Sequence, residues 1–172
     1  MLKILACLVI VSAGGICGML VARGYSLRPV ELRSLKSALQ MLETEITYAA
    51  TPLAEALGLV AERTDYRLAP LFEETRQELL SMSGCTAKEA WEKALLKFYP
   101  RSSLVGCDIS ILRSLGGALG ISDSSGQSKH LKLAMEQIGA ELEKAEADAL
   151  QHVKLWNYLG FLGGLVIVLI FY

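Results

Sequence analysis

Two stretches without a charged residue bracket this chain, and they constrain it more than any motif. No Asp, Glu, Lys or Arg occurs from Ile4 to Ala22, and none from Leu155 to Tyr172. As helices the two stretches reach roughly 28 and 27 Å, against a hydrocarbon core of about 30 Å. Every charged residue except Lys3 lies between Arg23 and Lys154. Trp156 and Tyr158 stand where an interfacial aromatic belt would sit, and Phe171 and Tyr172 mark the opposite face. The pattern predicts a membrane span at each end: 1–24 as an N-terminal transmembrane helix, 25–154 as a helical-bundle domain, and 155–172 as a C-terminal transmembrane helix. Gly14 with Gly18, and Gly160 with Gly164, form small-xxx-small pairs that would let the spans pack closely in lipid, although Gly is common in spans in any case.

A cleaved signal peptide is the alternative for the first stretch. Its cationic start is thin, no A-x-A site closes it, and Cys17 follows a bulky Ile16. Orientation follows from the cations. Arg23, Arg28, Arg33 and Lys36 follow the first stretch, Lys144 and Lys154 precede the second, and Lys3 stands on the other side. The positive-inside rule then puts the central domain in the cytoplasm.

The middle reads as helix throughout, which makes the chain all-α, with about six helices in the bundle. Leu32, Leu35, Leu39, Leu42 and Ile46 step by three and four, behind a Pro29 expected in a first helical turn. Thr51 is the expected cap of the next helix, with Pro52 its first residue, and Leu53, Leu57, Val60 and Ala61 its face. Pro70 opens a third helix with Leu71, Phe72, Thr75 and Leu79. Thr86 and Glu89 have capping-box spacing ahead of Ala90, Trp91, Ala94, Leu95 and Phe98. A fifth helix is expected from about Leu104, with Val105, Ile109, Leu112, Leu115 and Leu119 inward. From Leu131 through Trp156 apolar positions recur every three or four residues and no Pro intervenes. The last helix should therefore run on into the second span. Gly116 and Gly117 inside an apolar helix pattern cost about 1 kcal/mol each relative to Ala. Either a neighbour approaches closely there, or Gly120 caps a helix that ends early.

Chemistry is hard to find. There are 17 basic and 18 acidic residues, which gives no support to a basic nucleic-acid face. No phosphate loop, Cys-x-x-Cys or His-Glu-x-x-His is present. Cys107 reads as a small core residue. His130 and His152 lie about 33 Å apart along one helix, too far to share a metal. The acidic groups around Glu73 and Glu141 read as solvated helix faces, and Glu89 with Lys93 as an i, i+4 pair. Ser122, Asp123, Gln127, Lys129 and His130 crowd one polar break, which is either a capped helix start or a contact surface for a partner. The expectation is a non-enzymatic chain: no catalytic residue, no cofactor, no metal and no small-molecule substrate. His130 with Asp123 would be the best pair were it an enzyme.

Short pieces in a fixed order carry a further reading. They are Arg28-Pro29-x-Glu31-Leu32-Arg33, Leu42-Glu43-Thr44-Glu45-Ile46-x-Tyr48, Thr51 to Leu57, Glu89-Ala90-Trp91, Leu115-Gly116-x-x-Leu119-Gly120-x-Ser122-Asp123, Gln127-x-Lys129-His130 and Leu159-Gly160-x-Leu162-x-Gly164. Together, and with the terminal stretches, they resemble the stage III sporulation protein AB family of endospore-forming bacteria. The resemblance implies a bundle similar to the cytoplasmic domains of the type II secretion system F protein. It also implies a place in the spoIIIA-encoded complex that links mother cell and forespore, in the mother-cell membrane at the outer forespore membrane. Its expected partners are the other spoIIIA-encoded proteins, including the AA ATPase, and the lipid bilayer. Glu45, Glu55, Lys129 and His130 are the candidate partner contacts. The competing plan is a membrane-anchored ligand sensor with its bundle outside the cytoplasm.

Overall fold

A computed structural model of the chain describes the backbone of residues 2–81, 84–120 and 124–171. Within the first and last helices the side chains described are 15, 16, 19, 20, 22–47, 126–152, 155 and 159. The described residues form six α-helices and no strand: α1 (Leu2–Thr47), α2 (Leu53–Arg63), α3 (Ala69–Leu80), α4 (Ala87–Phe98), α5 (Gly106–Gly116) and α6 (Ser124–Phe171). A 3-10 turn at Tyr99–Arg101 follows α4. Among the described residues no helix is long and apolar enough to cross a membrane. The side chains of Gly14, Gly18, Gly160 and Gly164, and most of both apolar stretches, lie outside those residues.

The helices divide between two units, one of residues 1–29 with 143–172, the other Val30–Leu142. In the second unit the predicted stripe is the core. Leu32, Leu35, Leu39 and Leu42 are fully buried, and α2 adds Leu57 and Val60, α3 adds Leu71 and Phe72, and α6 adds Leu131 and Ile138. Trp91 of α4 sits among them with no exposed surface. Its Nε1–H donates to the Leu112 carbonyl of α5 (2.7 Å), and its ring meets Phe72 edge-on at 6.0 Å between centroids. A buried indole must place its N–H, and a helix carbonyl has a spare lone pair to take it. In the first unit Tyr25 stacks on His152 with 5.1 Å between ring centroids, and Ala22 and Ala145 are buried.

Several local expectations are corrected. Pro29 stands inside α1 rather than opening a helix, so one intrahelical bond is missing in a helix that continues on both sides. Thr51 does not cap α2; its hydroxyl donates to Glu45 Oε2 (3.1 Å), and Pro52 takes the N-cap position without a side-chain bond. Helix α5 begins at Gly106, because the Asp108 carboxylate accepts the Val105 N–H (2.9 Å) and fixes the start there. Val105 is consequently exposed, as is Cys107, which faces away from the buried Asp108, Ile109 and Leu112. Lys93 pairs not with Glu89 but with Glu78 of α3 (3.1 Å), while Glu89 closes the expected capping box on Thr86.

Of the two readings of the glycine pair, close approach by a neighbour holds at Gly116, and the helix does end early, but its C-cap is Gly117 and not Gly120, which lies three residues further on. A Cβ on Gly116 would overlap Trp91 Cδ1, and Gly120 adopts φ +76°, a left-handed conformation favoured by Gly. Gly117, at φ −64°, meets nothing closer than its own Ser114 carbonyl at 3.4 Å. Gly116→Ala is therefore expected to cost about 1–3 kcal/mol by overpacking, while Gly117→Ala changes stability little. Thermal unfolding of the two variants side by side checks this, and equal melting temperatures would contradict it.

Candidate functional site

The candidate contact residues fall into three separate places on the Val30–Leu142 unit. Lys129 and His130 come together. Both are exposed on the first turns of α6, and both line a cleft of about 650 Å³ with Thr47, the last residue of α1. Leu133 and Glu136 continue the α6 wall. Among the described residues Thr47 Oγ1 is buried with no hydrogen-bond partner. Ser122 and Asp123, grouped with Lys129 and His130 from the sequence, lie outside the described residues.

One residue the sequence did not single out shapes this wall. Glu43 is on α1 next to the buried Leu42. Its Oε1 accepts the Ser128 hydroxyl (2.8 Å) and pairs with Lys132 Nζ (3.5 Å), with the carboxylate side chain only 12% exposed. A half-buried acid that takes both a hydroxyl and an ammonium fixes the start of α6 against the end of α1. No spacing signal reveals it, because its partners are 85 and 89 positions away. Glu45 lies elsewhere, accepting Thr51 and facing Arg63 Nη1 at 3.8 Å. It serves the α1–α2 connection. Glu55 is exposed on α2, beside a shallow groove of about 370 Å³ whose other walls include Leu59, Glu62, Arg76 and Leu80.

A second unforeseen acid is Glu31, which is 4% exposed on α1. Its Oε2 accepts the Ser103 backbone N–H at 2.7 Å, tying the segment after the 3-10 turn to α1. Burial pushes its carboxyl above the ordinary glutamate value, against the bonds from Ser103 and the attraction of Arg67, which pull it down. Among the described residues no group of three or more His, Cys, Asp or Glu side chains is placed to hold a metal ion.

Comparison with known proteins places the chain in a family. The stage III sporulation protein AB family model matches residues 3–172. Stage III sporulation protein AB of Bacillus subtilis (strain 168) is 37% identical over 170 residues, which is 99% of each chain. The chain belongs to the stage III sporulation protein AB family. A solved structure of a stage III sporulation protein AB superposes with a TM-score of 0.67 at 36% identity, covering 72% of this chain and 96% of that one. The sequence resemblance is thereby shown, and with it a role in stage III of sporulation.

Glu31 yields a pH test. With its folded value raised, the folded chain binds this proton more readily than the unfolded chain. Its contribution to stability is greatest below the ordinary glutamate value and is lost as pH rises through the raised value. Glu31→Gln keeps an oxygen for the Ser103 N–H and removes the buried charge. It is expected to melt above the wild type at neutral pH, with the gap closing as pH falls below the glutamate range. Glu31→Ala leaves the N–H unpaired and is expected to cost about 1–3 kcal/mol. Calorimetry across that range decides, and a gap that widens on acidification contradicts the assignment.

Proposed function

We propose that the protein is a non-enzymatic, two-pass membrane platform of the spoIIIA-encoded, secretion-like complex. In this reading the apolar stretches at 4–22 and 155–172 are spans in the outer forespore membrane. The bundle faces the mother-cell cytoplasm and docks the AA ATPase and other membrane subunits of the complex. The observation that carries the reading is the family match over nearly the whole chain, apolar ends included. Two further features support it. The cations that flank the stretches lie almost entirely on the side of the bundle. The exposed candidate contacts Glu55, Lys129 and His130 sit on helices held by buried packing, as a docking surface requires.

The experiment is purification of the full chain in detergent from sporulating cells, with the AA ATPase followed by immunoblot. The ATPase is expected to co-purify, and deletion of the gene is expected to block spore formation. Absence of the ATPase together with normal sporulation of the deletion strain would overturn the proposal.

A further inference from the structure

The two ends of the Val30–Leu142 unit differ in chemistry. Glu31, where α1 enters the unit, accepts the Ser103 backbone N–H at 2.7 Å, so the α4–α5 connection lies at that end. The ion pairs Lys93–Glu78 (3.1 Å) and Lys97–Glu74 (3.6 Å) advance along α4 as they retreat along α3. The start of α3 therefore lies there too, with the α2–α3 connection just before it. At the opposite end a Cβ on Gly120 would meet Ala87 and Leu53, which brings the other three connections together. Over the described residues 48–52, 84–86 and 117–120 those connections carry no charged residue. The entry end is unlike them. It carries Tyr66, 75% exposed with the Arg67 guanidinium 5.3 Å over its ring, then Tyr99, 43% exposed, and the exposed Arg101. Its acids are engaged: Glu31 is buried on Ser103, and Asp65 Oδ1 accepts the Arg67 backbone N–H at 3.0 Å. Glu62, on the last turn of α2, lines the groove with Leu59 and Leu80. Over 28–33 and 141–143 of the flanking helices, Arg28 and Arg33 offset Glu141 and Glu143. The two connections thus leave this end a cation in excess, and among the described residues Arg101 enters no salt bridge.

We propose that this end of the bundle rests on the membrane, with Tyr66, Tyr99 and Arg101 seated among phospholipid headgroups. The contact rests on the reading of 4–22 and 155–172 as spans. Chain length selects this occupant. Nine positions of α1 separate Ala22 from Glu31, about 13 Å of helix, and the second tether, Leu142 to Leu155, is about 20 Å. The polar layer on each side of the hydrocarbon is roughly 5–8 Å deep. Beyond that layer the shorter tether leaves a gap of about 6–8 Å, which an extended Tyr or Arg side chain can bridge. A protein partner would have to enter that gap, whereas lipid already borders it. The side chains suit the layer: tyrosine rings settle at headgroup level, and a guanidinium pairs with phosphate through charged hydrogen bonds. Seated this way, the two connections hold the bundle against the bilayer at points other than the spans and limit its rocking.

The test uses the full chain in phosphatidylcholine–phosphatidylglycerol vesicles, with its native cysteines replaced by Ser and one dye placed through Tyr66→Cys, Tyr99→Cys, Tyr48→Cys or Leu159→Cys. Tyr48, 80% exposed at the opposite end, is the matched control, and Leu159 reports the second apolar stretch. Lipids carry a nitroxide on the headgroup or on the acyl chain. The headgroup nitroxide is expected to quench the dye at 66 and 99 and to spare it at 48, while the acyl-chain nitroxide quenches at 159. Adding Arg101→Gln to the Tyr99→Cys chain should lower the seated-to-unseated ratio read from quenching about fivefold. Quenching at 66 and 99 no stronger than at 48, with 159 quenched from the acyl chain, overturns the proposal and leaves the spans standing. An unquenched 159 overturns the span reading and the seated end with it. A loss of emission at 66 and 99 that follows protein density rather than nitroxide content assigns the face to a second copy and also overturns the proposal. Should the cysteine-free chain melt below the wild type, hydrogen exchange of the unaltered chain decides. Slower exchange over 64–68 and 99–105 in vesicles than in detergent, with 48–52 unchanged, supports the contact, and equal exchange overturns it.

Discussion

The bundle depends on where a single indole is put. Trp91 fills the space between α3, α4 and α5, and three conditions let it do so. Gly116 has no Cβ to obstruct the ring, the Leu112 carbonyl takes its N–H, and Phe72 meets it in an edge-type ring contact. A side chain of this size supplies more apolar surface than any other in the core. The cost is a glycine in a helix, which is small beside the burial it permits. The early end of α5 and the left-handed Gly120 follow on the same stretch of chain.

Acidic side chains do the work of fastening segments that packing leaves open. Glu31 takes the Ser103 N–H, Asp108 takes the Val105 N–H, and Glu43 takes the Ser128 hydroxyl and faces Lys132. Each binds a group that would otherwise be left without a partner near the core, where an unmade bond is costly. The first and third link α1 to regions more than 70 residues later. The third holds the end of α1 against the start of α6, beside the wall that carries Lys129, His130 and Leu133.

Periodicity made the helices and their buried faces legible. The leucines of α1, the capping box at Thr86 and the unbroken α6 are all short-range patterns, written within one or two turns. Start positions were less legible, because they depended on competing local bonds. Thr51 had Glu45 within reach and so left Pro52 at the cap, and Asp108 set the first turn of α5 and turned Cys107 outward. Glu31 and Glu43 stood in the short pieces that carry the family resemblance, but their long-range bonds were not legible, since no spacing rule connects Glu31 to Ser103 or Glu43 to Ser128. The candidate contacts were legible only as exposed polar residues. Folding separated Glu45, which serves a connection, from Lys129 and His130, which share a cleft.

The proposed role requires the bundle on the cytoplasmic side of a bilayer, and the exposed Cys107 thiol is a reporter of that position. Sporulating cells would be treated with a membrane-impermeant maleimide before and after the membrane is opened, with Cys107→Ser as the control. The account predicts labelling at Cys107 only after opening, in a chain that partitions with membranes and needs detergent to leave them. Labelling of Cys107 in intact cells, or recovery of the full chain in the aqueous fraction without detergent, would contradict it.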